Sequence, residues 1–498
     1  MSVRLFSGLA PKSNWKREGH IVDQVTVSTV PRVLLAPGAS PRPVTRLRLG
    51  GALLVVVTAV GIVPASPALS LEVATISVAN LPSPSPAASI PSKQATTLTR
   101  IKQAVADVRT DPKNGRRQLD LGRLYVRRAF ETADPSFYPS AEAALAKAET
   151  LLGRSPEVLD AQAALALARH QFNDAFELAS AILRQRPTSI EGRLALVDSS
   201  IELGKYDSAA SIIDELASQR PNLATLSRLS FSRQLGGDLR GAERTMRQAV
   251  GAAPMRSFDQ AVAFGYLGDV LLEGGRLDAA ARAYSDALRI DPTVSTAVLG
   301  QARVAMARND PASATKLLDA LIARTPQPGA LGLRADIARA TGDRKAALAT
   351  DQLVDASVKL FEANGAVVDA ELAVLLADRG PASAGAAVRT SRRAYANRRT
   401  IFTADAVAWS LFSDGKVAEA LPFAREAVRR DPAVSFVRWH AAAIFASAGD
   451  LPGARTEFEA AIRNPWFSPS QRPAIEAMAK KLGLSMASET RSASNSSS

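Results

Sequence analysis

Prolines that follow apolar helical stretches fall at positions 187, 221, 254, 292, 326, 432 and 465, separated by 34, 33, 38, 34, 106 and 33 residues. The long gap holds three units of the same length. A recurrence of this kind leaves little choice of architecture. Each unit is one supersecondary element that cannot bury its apolar face alone, so neighbouring units must stack into a continuous core. The prolines mark helix ends, because the residue before Pro is pushed out of the helical region. The units themselves are helical. Apolar residues make up 47% of the chain but aromatic residues only 5%, and much of the remainder is Ala and Leu, which are strong helix formers. No sustained apolar/polar alternation bounded by turns suggests a strand.

The clearest unit is 261–294, AVAFGYLGDVLLEGGRLDAAARAYSDALRIDPTV. Small residues, Gly268, Ala280 and Ala287, occupy its positions 8, 20 and 27, where two helices must approach closely. Larger ones, Phe264, Leu267, Leu271 and Tyr284, fill the space between them at helical spacing. Gly275 supplies a left-handed cap at the end of the first helix, and Pro292 ends the unit. This pattern resembles the tetratricopeptide repeat. Weaker copies begin at 156, 190, 223, 295, 328, 401 and 435, and an early one near Gly115 carries an insertion around 131–140. Segment 366–400 is helical in character but fits the pattern least. The stretch from Gly115 through ALARHQFNDAFELASAILRQRP is similar to poorly characterised bacterial multi-repeat proteins. The resemblance, over about 115–465, implies an all-α, right-handed superhelical solenoid of about ten helix pairs. It also implies a concave groove that binds peptides or helices of other proteins, and no catalytic chemistry. A capping helix is expected at 470–483, because an end repeat would otherwise expose its apolar face.

The ends have a different composition. Arg46 and Arg48 precede an apolar run over 49–63, and small residues and prolines follow it. This is the make-up of a secretory signal peptide or an uncleaved N-terminal anchor over 46–68, so the expected location is exported: periplasmic, or tethered to the inner membrane through 49–63 and facing the periplasm. Residues 1–45 read as a disordered or mis-called extension, 69–97 as a Pro/Ser-rich linker, 98–484 as the repeat domain and 485–498 as a disordered Ser-rich tail. The leader also accounts for much of the net charge of +13: residues 1–48 hold eight Lys/Arg against Glu18 and Asp23. The rest of the chain is only mildly basic, and no nucleic-acid partner is expected. The absence of cysteine excludes disulfides and thiolate chemistry.

The three histidines, His20, His170 and His440, are scattered, and no metal-binding, phosphate-binding or nucleophile motif is present. No cofactor is implied. His170 takes the turn position where Gly is usual, and His440 sits beside Trp439 on a helix, where packing explains it. In the tetratricopeptide superfamily the groove is lined by positions 2, 5, 9 and 12 of each unit's first helix. Carried over, this places Phe402, Trp409 and Phe412 in one unit and Phe436 and Trp439 in the next on the partner-binding face. Ten of the 26 aromatic residues fall within 401–467, and aromatics on a concave surface are good anchors. Phe445, Phe458, Trp466 and Phe467 are expected to close the core instead. A second cluster, Arg389, Arg392, Arg393, Arg398 and Arg399, is either a basic patch or a solvated helix face. The sequence therefore points to a non-catalytic scaffold that holds another protein, during envelope assembly or as an accessory subunit of an envelope enzyme or glycan-export complex.

Overall fold

A computed structural model describes residues 96–464 and 466–486. Among them every regular element is helical. The leading helix α1 (Thr97–Thr110) precedes ten pairs: α2 (Gly115–Thr132) and α3 (Phe137–Leu152); α4 (Pro156–Ala168) and α5 (Phe172–Gln185); α6 (Ile190–Glu202) and α7 (Tyr206–Gln219); α8 (Leu223–Leu235) and α9 (Leu239–Ala252); α10 (Phe258–Glu273) and α11 (Leu277–Ile290); α12 (Ser295–Ala307) and α13 (Pro311–Arg324); α14 (Pro328–Ala340) and α15 (Arg344–Ala363); α16 (Ala370–Asp378) and α17 (Pro381–Asn397); α18 (Ile401–Ser413) and α19 (Val417–Val428); α20 (Ser435–Ser447) and α21 (Leu451–Ala461). A short 3-10 turn, Pro469–Gln471, leads into the terminal α22 (Arg472–Leu482). This is the expected superhelical solenoid with its capping helix. The N-terminal extension, the leader, the linker up to residue 95 and the tail from 487 lie outside the described residues. Among the described residues no helix is long and apolar enough to cross a membrane.

The small positions act as the sequence pattern requires. Tyr284 is fully buried in a slot between Gly268 on α10 and Gly300 on α12, and a Cβ on either glycine would run into its ring. Ala280 and Ala287 have no exposed surface. The phenol finds a partner in Asp269, whose Oδ1 accepts from it at 2.9 Å. The two helices of a pair differ sharply in burial. Eleven of the thirteen residues of α20 are buried, but only four of the eleven in α21. The first helix of each pair is wedged between its partner, its neighbours and the interior of the superhelix, whereas the second faces solvent on one side.

The superhelix winds back onto itself. Direct hydrogen bonds join side chains to residues 193 to 199 positions away, so one turn takes just under six repeats of about 34 residues. The contacts recur with the repeat. The turn after α2 meets the loop before α14, where Thr325 Oγ1 donates to the Thr132 carbonyl at 3.1 Å. The turn after α4 meets residues 365–367: Val367 N donates to the Arg169 carbonyl at 2.8 Å, and Gln171 Nε2 to that of Gly365 at 3.1 Å. The turn after α6 meets Arg399, and Ile401 N donates to the Tyr206 hydroxyl at 3.0 Å. The turn after α8 meets 431–433, where Ala433 N donates to the Gln234 carbonyl at 3.0 Å. The turn after α10 meets Arg463. Gly204, with φ +77°, shows why the turn residue matters here: a Cβ would collide with the Arg399 carbonyl of the next superhelical turn. His170 fills the same left-handed position in its repeat, with φ +59°, and its Nδ1 lies 3.1 Å from the Val367 carbonyl.

The unit that fits the repeat least is part of this seam. α15 is 20 residues long against 14 in α13 and 12 in α19, and α16 has only 9. The intervening residues 364–369 leave the helical path and bond to the α4–α5 turn.

Candidate functional site

The first helices line the interior. In the N-terminal turn they leave a cavity of about 220 Å³, walled by α2, α4, α6, α10 and α12 and closed on one side by Phe361 of α15. Its apolar surface comes from residues such as Val126, Phe130, Leu194, Phe258 and Val262. Phe130 and Phe258 meet edge to face, 5.9 Å apart. These residues belong to helices more than a hundred positions apart in sequence, and only the superhelical turn brings them together.

Charged groups are set into this wall. Arg228 makes a two-pronged bond to Asp198, at 2.7 and 2.6 Å, with both side chains buried. That pair is saturated and fixed. Arg123 and Asp160 form a looser pair at 3.6 Å; Arg123 Nη2 donates instead to the Glu157 carbonyl at 3.1 Å, and its buried Nε has no acceptor. Burial pushes the Asp160 carboxyl up to about 6, against the lowering pull of Arg123, and Glu191 and Glu157 add to the rise. Glu191 is exposed on the cavity lining. Burial also holds the His170 imidazole below its ordinary value. Among the described residues, no group of His, Asp and Glu is arranged to hold a metal ion.

The aromatic residues selected from the sequence do come together on α18 and α20. Phe402 stacks on Phe436 at 6.4 Å and Trp409 on Phe412 at 5.3 Å. Trp409 and Trp439 are buried, at 9% and 3% exposure, while the three phenylalanines are half-buried. Both indoles are satisfied internally: Trp409 Nε1 donates to Asp378 Oδ1 at 2.8 Å, and Trp439 Nε1 to Gln471 Oε1 at 2.9 Å. His440 lies flat against Trp409 at 3.9 Å, with Nδ1 3.0 Å from Asp405, which is the packing role expected of it. Residues 466–471 cover this stretch of the inner face. Their role was not legible in the sequence; the signals were an aromatic pair, Trp466-Phe467, and the acids Asp336 and Asp378 towards the ends of two first helices. Phe445 and Phe458 are core residues as expected, and Trp466 and Phe467 pack against the edges of two cores.

The arginine cluster divides. Arg389, Arg392, Arg393 and Arg399 are exposed on α17 and just beyond it, with Arg392 paired to Glu419 at 2.8 Å. Arg398 turns the other way, into the seam. It bonds Glu202 at 2.8 Å and Asp369 at 3.3 Å and lies over the Phe172 ring. Burial raises Glu202 to about 7 even with Arg398 beside it.

Two family models, each described as a tetratricopeptide repeat, match the chain. One covers residues 166–229 and 271–337, the other 236–295 and 407–469. The unmatched stretch 338–406 contains the long α15 and short α16. No curated protein matches. Solved structures similar to the chain include a thermophilic TPR protein of Thermus thermophilus, 21% identical, with 39% of this chain and 97% of that one covered and a TM-score of 0.33. Human IFIT1 dimers with PPP-AAAA and with m7Gppp-AAAA are each 14% identical over 74% of this chain; 91% and 85% of those chains are covered, with TM-scores of 0.44 and 0.45. The helix pairs, their packing positions and the family matches agree: the chain belongs to the tetratricopeptide-repeat superfamily, whose repeats form protein-binding scaffolds.

Proposed function

We propose that the chain is a non-catalytic scaffold of the cell envelope and holds an extended segment of a partner protein against the first helices of its N-terminal superhelical turn. The cavity there carries the reading. Its 220 Å³ admits one or two side chains, not a helix about 10 Å across. The apolar wall desolvates such an anchor, and anchors in pockets of this kind carry most of the energy of a protein interface. The unsaturated pair Arg123–Asp160 and the exposed Glu191 offer polar contacts at its edge. Phe402, Phe412 and Phe436 extend the same face towards the C-terminus, with Trp409 and Trp439 as its floor. The exposed arginines of 389–399 would meet an acidic partner or an anionic membrane surface rather than nucleic acid. The location is supported by Arg46, Arg48 and the apolar run 49–63, which supply either an export signal or a tether.

The test is an in-cell cross-linking pull-down from the full-length gene, comparing wild type with a Phe258→Ala/Glu191→Lys variant of equal helicity by circular dichroism. A partner recovered with wild type and lost with the variant is the expected result. The same partners recovered from both would overturn the reading and move the search to the outer face.

A further inference from the structure

Asn464 and residues 466–471 contact the inner face as a ligand would. Asn464 Nδ2 donates to Glu273 at the end of α10, at 3.3 Å. Trp466 lies over Arg303 of α12, at 5.2 Å. Ser468 Oγ donates to Asp336 of α14 at 2.5 Å, and the Ser470 hydroxyl bonds the same carboxylate. Gln471 Nε2 donates to Asp378 of α16 at 2.9 Å and its Oε1 accepts from Trp439. The segment thus touches the first helices of four successive repeats in order, advancing about two residues per repeat. Its contacts are chiefly side-chain hydrogen bonds to carboxylates and an indole; its main chain donates from Trp466 N to Asn464 Oδ1, from Ser470 N to Asp336 and from Gln471 N to the Ser468 carbonyl. The fit is incomplete: Trp466 Nε1 and Arg303 Nε are both buried without an acceptor.

From this ladder we infer that the C-terminal stretch of the inner face is a second segment-binding site, filled in cis by the chain's own residues 466–471, and that a partner segment of the same chemistry displaces them. That chemistry is a short stretch closing in a 3-10 turn, with two hydroxyl side chains one residue apart and a carboxamide directly after the second, so that Asp336 and then Asp378 and Trp439 are satisfied. An acceptor in place of Trp466 meets the open Arg303 donor. The inference rests on the reading that the inner face is the binding face. It is separable from the N-terminal cavity, because Glu273, Arg303, Asp336, Asp378 and Trp439 do not line that cavity.

The test uses the full chain and a fluorescein-labelled peptide of residues 466–484, followed by anisotropy. A Ser468→Ala/Ser470→Ala/Gln471→Ala variant, whose own segment is weakened, binds the peptide at least tenfold tighter than wild type. A peptide carrying the same three alanines binds neither. Failure of a folded variant to bind the native peptide overturns the inference. Hydrogen exchange on wild type gives an independent reading: amides of 466–471 exchange at least tenfold faster than those of α18 and α20, and equal protection overturns the inference whether or not the variant folds. The pull-down that tests the N-terminal cavity is unaffected by the triple variant, so the two readings fail separately.

Discussion

Replacing Arg398 by alanine probes a buried charge cluster in the seam. The guanidinium is 12% exposed and its partners Glu202 and Asp369 are 11% and 4% exposed. Removing one member of a buried pair costs about 3–5 kcal/mol, because the remaining charge stays desolvated. The pH dependence sets this apart from a loss of packing. Burial raises Glu202 from 4.5 to about 7, so between those values the folded chain holds a proton that the unfolded chain has released. Stability therefore falls as pH rises through this window and levels off above it, by about 3 kcal/mol in total at about 1.4 kcal/mol per unit. Below about pH 7 Glu202 of the folded wild type is neutral as well, and the arginine has less to compensate. Arg398→Ala is therefore expected to lose about 3–5 kcal/mol at pH 8 and up to about 1.4 kcal/mol less at pH 5.5, the limit set by the one unit between the raised Glu202 value and pH 8. Urea unfolding reads the loss, and hydrogen exchange over 198–206 and 399–405 locates it. A loss below about 1 kcal/mol, typical of an exposed pair, or an equal loss at both pH values, would refute the argument.

Asp160→Asn should stabilise the chain at pH 7.5, by up to about 3 kcal/mol at 1.36 kcal/mol per unit. The raised carboxyl is ionised there, and burial outweighs the loose Arg123 contact; near pH 3.5, below its ordinary value, the two proteins should melt alike. Tyr284→Phe leaves the ring between Gly268 and Gly300 but deletes the bond to Asp269; a cost of about 1 kcal/mol is expected by denaturant titration. Gly204→Ala forces a side chain into a left-handed turn against the Arg399 carbonyl. A cost of at least about 1–2 kcal/mol, with exchange rising at 399–403 rather than within α6 and α7, would identify the seam as the site of strain. Trp439→Ala should cost about 3–5 kcal/mol as a core truncation, read by thermal melting, so any binding loss in that variant must be separated from unfolding.

The repeat is written locally, which is why it could be read. Gly268, Ala280, Ala287 and the terminal prolines act within one helix pair, and their spacing alone predicts close packing and chain reversal. The capping helix was legible for the same reason, since the apolar face of α21 needs a cover. The seam was not. Its partners lie nearly two hundred residues apart and are largely backbone groups and single polar side chains, which carry no periodic signal. Arg398 illustrates the difficulty: in sequence it belongs with Arg389, Arg392, Arg393 and Arg399, but the end of α17 turns it inward to Glu202. Trp409 and Trp439 lie on the first helices α18 and α20, buried and bonded to Asp378 and Gln471. What the sequence did not disclose is that the chain covers them with its own segment, since Ser470 and Gln471 read as the start of the capping helix and Ser468 carries no periodic signal until Asp336 and Asp378 are brought beside them.

The Arg398 and Gly204 expectations depend on successive superhelical turns being in contact. Asp207 and Arg430, 223 positions apart, form an ion pair of 2.7 Å on the outside of the seam, and the chain has no cysteine of its own. An Asp207→Cys/Arg430→Cys variant treated with a short bis-maleimide places a reporter directly across the closure. A near-complete intramolecular cross-link in the monomer, lost when the protein is unfolded in urea first, is the result expected of a closed superhelix. Free thiols and no intramolecular product in the folded monomer would mean that the turns stand apart, and would contradict the account.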